Sequence, residues 1–99
     1  MLKSFTIEDD LAIQDTAAIE VTLDFTSGER RWCFFMTPTA LAACGDFVPG
    51  TFVRYHYGAP HMIVVAGRFD RPLIEQVLVG LDERDELTRC SIPVEEVAV

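Results

Sequence analysis

With 99 residues, 49% of them hydrophobic, and a formal charge of -8, the chain can bury roughly 60 to 70% of its unfolded surface as a single domain, 1–99, without metal or disulfide staples. That apolar content excludes a disordered chain, and no run approaches the ~18 consecutive apolar residues of a membrane span. The acidity excludes nucleic acid as a partner, because binding to phosphate backbones depends on lysines and arginines that release counterions.

Lys3 to Ile7 alternates, with Phe5 and Ile7 on one side, and predicts a short first strand. Glu8 to Thr16 reads as an acidic connection with Leu11 and Ile13 as anchors. Ile19, Val21, Leu23 and Phe25 then alternate with Glu20, Thr22 and Asp24, the pattern of a half-buried strand that turns at Thr26-Ser27-Gly28-Glu29. A hairpin closed on Ser27-Gly28 pairs Leu23 with Trp32, Val21 with Phe34 and Ile19 with Met36 on the core face, and sets Asp24 opposite Arg31. Arg31, Cys33 and Phe35 then line the second face.

Thr37-Pro38 is a helix start, a capping hydroxyl followed by proline, and Gly45 a helix stop after about two turns. Val48-Pro49-Gly50-Thr51 is a turn, and the β-rich runs Phe52–Tyr57 and His61–Ala66 flank Gly58-Ala59-Pro60 as a second hairpin. Assigning Pro60, which cannot donate to a ladder, to that loop sends His56 and His61 to opposite faces. Asp70 caps an amphipathic helix carrying Leu73, Ile74, Val77, Leu78 and Leu81 on one side and ending near Leu87. Cys90, Ile92 and Val94 predict a terminal edge strand. The expected fold is α+β: an antiparallel sheet of five to six strands built from two hairpins, the C-terminal helix packed on one face, and a short helix between the hairpins.

The sequence assembles little chemistry. His56, His61 and the dispersed Cys33, Cys44 and Cys90 lack zinc spacing, so no metal is expected, and with no glycine-rich phosphate loop no cofactor either. Without a CxxC the thiols are expected free. Together with an N-terminus that shows no secretory signal, they point to the cytoplasm.

Two acid-rich ends flank a mildly basic middle: residues 1–29 carry seven acids against one lysine, 30–69 one acid against four arginines, and 70–99 eight acids against three arginines. One helix cannot cover both sides of a sheet, so the second face, with Arg31, Cys33 and Phe35 continued by Phe52, Arg54 and His56, is the candidate interface. It meets solvent, a covering element such as the 9–18 connection or the short helix, or another chain.

The expected function is a non-catalytic protein-binding or regulatory domain acting on a basic protein or on itself as a homodimer. Small acidic toxin-neutralising proteins offer an analogy of composition only. The alternative is a small enzyme or ligand-binding domain centred on His56 or His61 with Tyr55, Tyr57 or Cys33.

Overall fold

The computed structural model describes residues 1–56 and 59–95. Four strands form the body of a five-stranded sheet in the order β1 (Leu2–Ile7), β2 (Ile19–Phe25), β3 (Arg30–Met36) and β6 (Met62–Val64). The fifth, β7 (Ile92–Pro93), shares an edge with β6: β7 pairs antiparallel with Arg31 and Trp32, and β6 pairs parallel with Phe34 to Met36. A separate two-stranded sheet joins β4 (Asp46–Phe47) to β5 (Arg54–Tyr55). The helices are α1 (Pro38–Ala43) and α2 (Arg71–Glu83). The fold is α+β, as expected, and no helix among the described residues is long and apolar enough to cross a membrane.

The helix signals act as predicted. Thr37 Oγ1 accepts from Ala40 N at 3.1 Å and Asp70 Oδ1 from Leu73 N at 3.0 Å, each satisfying an orphan donor of a first turn that also contains proline. Helix α2 buries Ile74 and Leu78 and packs Leu73, Val77 and Leu81 against the same core. It stops at Glu83 rather than near Leu87, and Asp85 takes a left-handed φ of 57° just beyond. Leu87 returns to the core in a separate 3-10 turn, Leu87–Cys90.

The first hairpin forms one residue out of the expected register. Its connection is Thr26-Ser27-Gly28, closed by Phe25 N donating to Glu29 O at 3.0 Å and Gly28 N to Phe25 O at 2.9 Å. Gly28, at φ 89°, fills the left-handed position that ends a three-residue loop. Val21 therefore faces Cys33 and Ile19 faces Phe35, while Thr22 faces Trp32 and Glu20 faces Phe34. Because Trp32 to Met36 is apolar at every position, alternation on β3 cannot choose between registers. The observed one buries Ile19, Val21, Leu23, Phe25, Cys33 and Phe35 together.

The second predicted hairpin does not form. The run before Gly58 supplies β5, which folds back on β4, and the run after it supplies β6, which docks parallel on β3. The predicted loop residue Gly58, and Tyr57 before it, lie outside the described residues. The 8–18 connection is held by Gln14 rather than by the partly exposed Ile13. Gln14 is buried; its Nε2 donates to Leu11 O (2.8 Å) and Phe69 O (3.0 Å), and its Oε1 accepts from Phe69 N (2.8 Å).

Candidate functional site

The register decides what each face can present. Cys33 and Phe35, expected on the open face, point into the core with no exposed surface. Burial and, to a lesser degree, the neighbouring Cys90 push the Cys33 thiol up to about 12, so it holds its proton at neutral pH and is a poor nucleophile. Arg31 is half-buried, and its guanidinium works as a clamp: Nε donates to Ser91 Oγ (2.8 Å), NH2 to Thr88 O (2.9 Å) and Ser91 O (2.7 Å), and NH1 to Glu29 Oε1 (2.8 Å). These bonds fasten the segment from the Leu87–Cys90 turn to β7 onto β3.

The outer face carries the other set. Trp32 and Phe34 are half-buried there, with the His61 ring edge-on to both at centroid distances of 4.4 and 4.9 Å. His61 Nδ1 is buried with no partner among the described residues. By register Ile92 flanks Trp32 and Met62 flanks Phe34. Cys33 and His61 thus lie on opposite faces of one strand, and no three His, Cys, Asp or Glu side chains among the described residues are grouped to hold a metal ion.

The other predicted interface residues, Phe52, Arg54 and His56, belong to the β4–β5 ribbon, not to a continuation of the main sheet. Val48 N donates to Val53 O (2.8 Å), and Thr51 N to Val48 O (3.0 Å), across a turn with Gly50 at φ 77°. Polar contacts fix the root of this arm to the end of α1. His56 Nε2 donates to Leu41 O at 2.9 Å, and Arg54 NH1 to Gly45 O at 3.1 Å while its guanidinium lies 4.0 Å over the Phe47 ring.

Gly45 is required at this root. Its φ is 91°, and a Cβ there would stand 2.5 Å from Tyr55 O and 2.8 Å from the His56 ring.

The arm exposes apolar surface on both sides: Phe52 is 98% exposed, Val53 62%, Phe47 48%, Tyr55 42% and Val48 38%. It is also nearly free of charge, since from Trp32 to Gly67 the only Asp, Glu, Lys or Arg residues are Asp46 and Arg54. The mildly basic middle of the sequence is largely neutralised, with Arg30 on Asp24 (2.9 Å), Arg31 on Glu29 (2.8 Å) and Arg68 on Asp15 (2.6 Å).

A cavity of about 450 Å³ between β1 and α2 is lined by Lys3, Phe5, Arg71, Glu75 and Asp82 among others, away from the described site residues expected from the sequence. The interface expected from the sequence includes Phe52 of this surface but not Phe47, Val48 or Val53; the run from Trp32 to Gly67, charged only at Asp46 and Arg54, was their signal. Set against protein-family models, curated proteins and solved structures, the chain matches none, and its function has to be read from its own surface.

Proposed function

We propose that this chain is a non-catalytic protein-binding domain that recognises its partner with the β4–β5 arm. The observation carrying this reading is the arm itself, a ribbon on which Phe52 and Val53 are mostly exposed and Phe47, Tyr55 and Val48 partly so, and none of whose residues belongs to the core cluster of the described residues. A two-stranded ribbon is marginal alone in water. An exposed apolar area of this kind, rich in aromatics and carrying one arginine, has the composition of an interface centre. The partner touching the arm is apolar and near neutral; a basic partner would meet the acid-rich ends instead. The three free thiols suit a reducing compartment such as the cytoplasm.

The test compares immobilised wild-type protein with a Phe52→Asp variant, each challenged with cell extract and with the free chain. Phe52 makes almost no intramolecular contact, so the substitution leaves the fold intact. A protein retained by wild type and lost from the variant supports the reading. Identical retention by both refutes it.

A further inference from the structure

We infer that the outer edge of β1, with the groove between it and α2, is a second binding surface, separate from the arm, that takes an extended peptide by strand addition. Among the described residues β1 pairs with β2 alone. Glu8 N donates to Glu20 O at 2.9 Å, and the register then makes Thr6–Thr22 and Ser4–Asp24 the hydrogen-bonded pairs and Phe5–Leu23 and Ile7–Val21 the others. Phe5 and Ile7 therefore turn their N–H and C=O groups outward, where an added strand can pair with them. The bulge between Leu2 and Ser4 ends this stretch.

Beyond the bulge the edge opens into the groove. Its lining runs through consecutive β1 residues, Leu2 to Phe5, rather than alternate ones, so it follows the edge of the strand and not one face. On the other wall Arg71, Glu75, Val79 and Glu83 stand four residues apart along one side of α2. The two walls run in opposite directions: the Arg71 guanidinium lies 4.7 Å over the Phe5 ring, and Asp82 Oδ2 accepts from Leu2 N at 2.9 Å.

The charges name the occupant. The groove is basic at the Arg71 end and acidic at the Asp82 and Glu83 end, with Lys3 and Glu75 adding one charge of each sign and the partly exposed Val79 between. None of these charged groups is in an ion pair among the described residues. A peptide antiparallel to β1 enters beside Ile7 and leaves beside Leu2, so its side chains on the α2 side read acid, apolar, base at alternate positions. From Arg71 to Glu83 the helix rises about 18 Å, the span of roughly five to six strand residues. A second copy is the wrong occupant: its β1, laid antiparallel, brings Lys3 toward Arg71 and Glu8 and Asp9 toward Asp82 and Glu83, like charge on like at both ends.

Fluorescence anisotropy tests this with the labelled, end-blocked peptide Val-Thr-Glu-Thr-Val-Thr-Lys and its charge-swapped isomer Val-Thr-Lys-Thr-Val-Thr-Glu. Wild type is expected to bind the first at least about fivefold more tightly, the scale of exposed ion pairs. Arg71→Glu/Glu83→Arg is expected to invert that order. It moves an acid to the first turn of α2 and a base to the last, which the helix dipole favours, so the fold holds. Bound peptide is expected to slow amide hydrogen exchange at Phe5 and Ile7, and Phe52→Asp to bind the peptide as wild type does.

No binding of either peptide at millimolar concentration, equal affinity for the two, or a double variant that keeps the wild-type order overturns the proposal. So does binding that leaves exchange at Phe5 and Ile7 unchanged, or that Phe52→Asp abolishes, because the contact then lies elsewhere. Slow exchange at both amides without peptide, in a chain that sediments as a dimer, gives the edge to a second copy and overturns it as well. The arm stands or falls on its own capture experiment.

Discussion

Gln14 should be among the most costly polar residues to replace, although a glutamine in an acidic connection reads as surface. It is 2% exposed, and its side-chain amide satisfies both backbone groups of Phe69: Nε2 donates to the carbonyl at 3.0 Å and Oε1 accepts from the N–H at 2.8 Å. Phe69 is itself a core residue touching Phe35 at a ring separation of 5.8 Å, so neither group can turn to water without moving the core.

Gln14→Leu keeps most of the volume and removes all three side-chain hydrogen bonds. Leu11 O retains a bond from Gln14 N at 3.2 Å, but the Phe69 N–H and carbonyl are left buried without that partner, at about 1–3 kcal/mol each. Removing the buried amide offsets part of this, leaving a net loss of about 3 kcal/mol and a midpoint lower by more than ~12 °C for a domain of this size. Urea unfolding followed by fluorescence of the single tryptophan, Trp32, measures it. The exposed Gln76→Leu is the control, expected within about 0.5 kcal/mol of wild type. A Gln14→Leu protein that loses less than ~1 kcal/mol would show that the amide is not holding these elements together.

Arg31→Lys keeps the charge but cannot reproduce a fork spanning Ser91, Thr88 and Glu29; a loss of about 2 kcal/mol is expected, with faster hydrogen exchange at the Val94 amide, which donates to Arg30 O. Exchange unchanged there would deny Arg31 its clamping role. For Cys33, the folded state holds its thiol proton up to about pH 12 against an ordinary value of 9.0. The folded chain therefore binds more protons than the unfolded chain above pH 9; the stabilisation is complete below that and is lost as pH rises toward 12, at about 1.4 kcal/mol per unit. Between pH 9 and 10.5 wild type should lose about 2 kcal/mol more than Cys33→Ala, and parallel pH profiles would contradict this. Replacing Asp46–Tyr55 by two glycines should leave stability within about 1 kcal/mol, since no arm residue belongs to the core cluster; collapse to a loosely packed state by near-UV circular dichroism would mean the arm supports the fold.

Where local chemistry decides, the sequence was enough to read the structure. The Thr37-Pro38 and Asp70 helix starts, the alternation of β2 and the three-four spacing of α2 each act over a few residues and are found in place. The register of β3 was not legible because Trp32 to Met36 satisfies either face; the discriminating residue was Gly28, which suits a three-residue loop. The β-rich runs around Gly58-Ala59-Pro60 looked like hairpin partners because proximity in sequence is all that a local reading sees. The parallel site along Phe34–Met36 becomes available only once β3 is placed.

Of the predicted interface residues, Phe52, Arg54 and His56 lie in the arm or at its root. Arg31, Cys33 and Phe35 moved to the core side with the one-residue slip. Gln14 was invisible for a different reason, since a buried amide is recognisable only from the backbone groups it serves.

The arm exceeds what the topology requires. A parallel partner for β3 needs a crossover, for which a dozen or so residues and one helix suffice; the connection from Thr37 to His61 contains α1 and then adds a whole ribbon. The surplus residues are chemically uniform: Phe47, Val48, Phe52, Val53 and Tyr55 add no buried core, yet leaving such side chains in water forgoes about 25 cal/mol per Å². The rest of the surface carries the acids that keep the chain apart from its neighbours. At the root, by contrast, Gly45, Arg54 and His56 fix the ribbon to the end of α1 by backbone approach and two hydrogen bonds. For the proposed binding role, a root fixed in this way reduces the backbone freedom lost when a partner is bound. A connection serving only to close the crossover would need neither the fixed base nor the exposed tip.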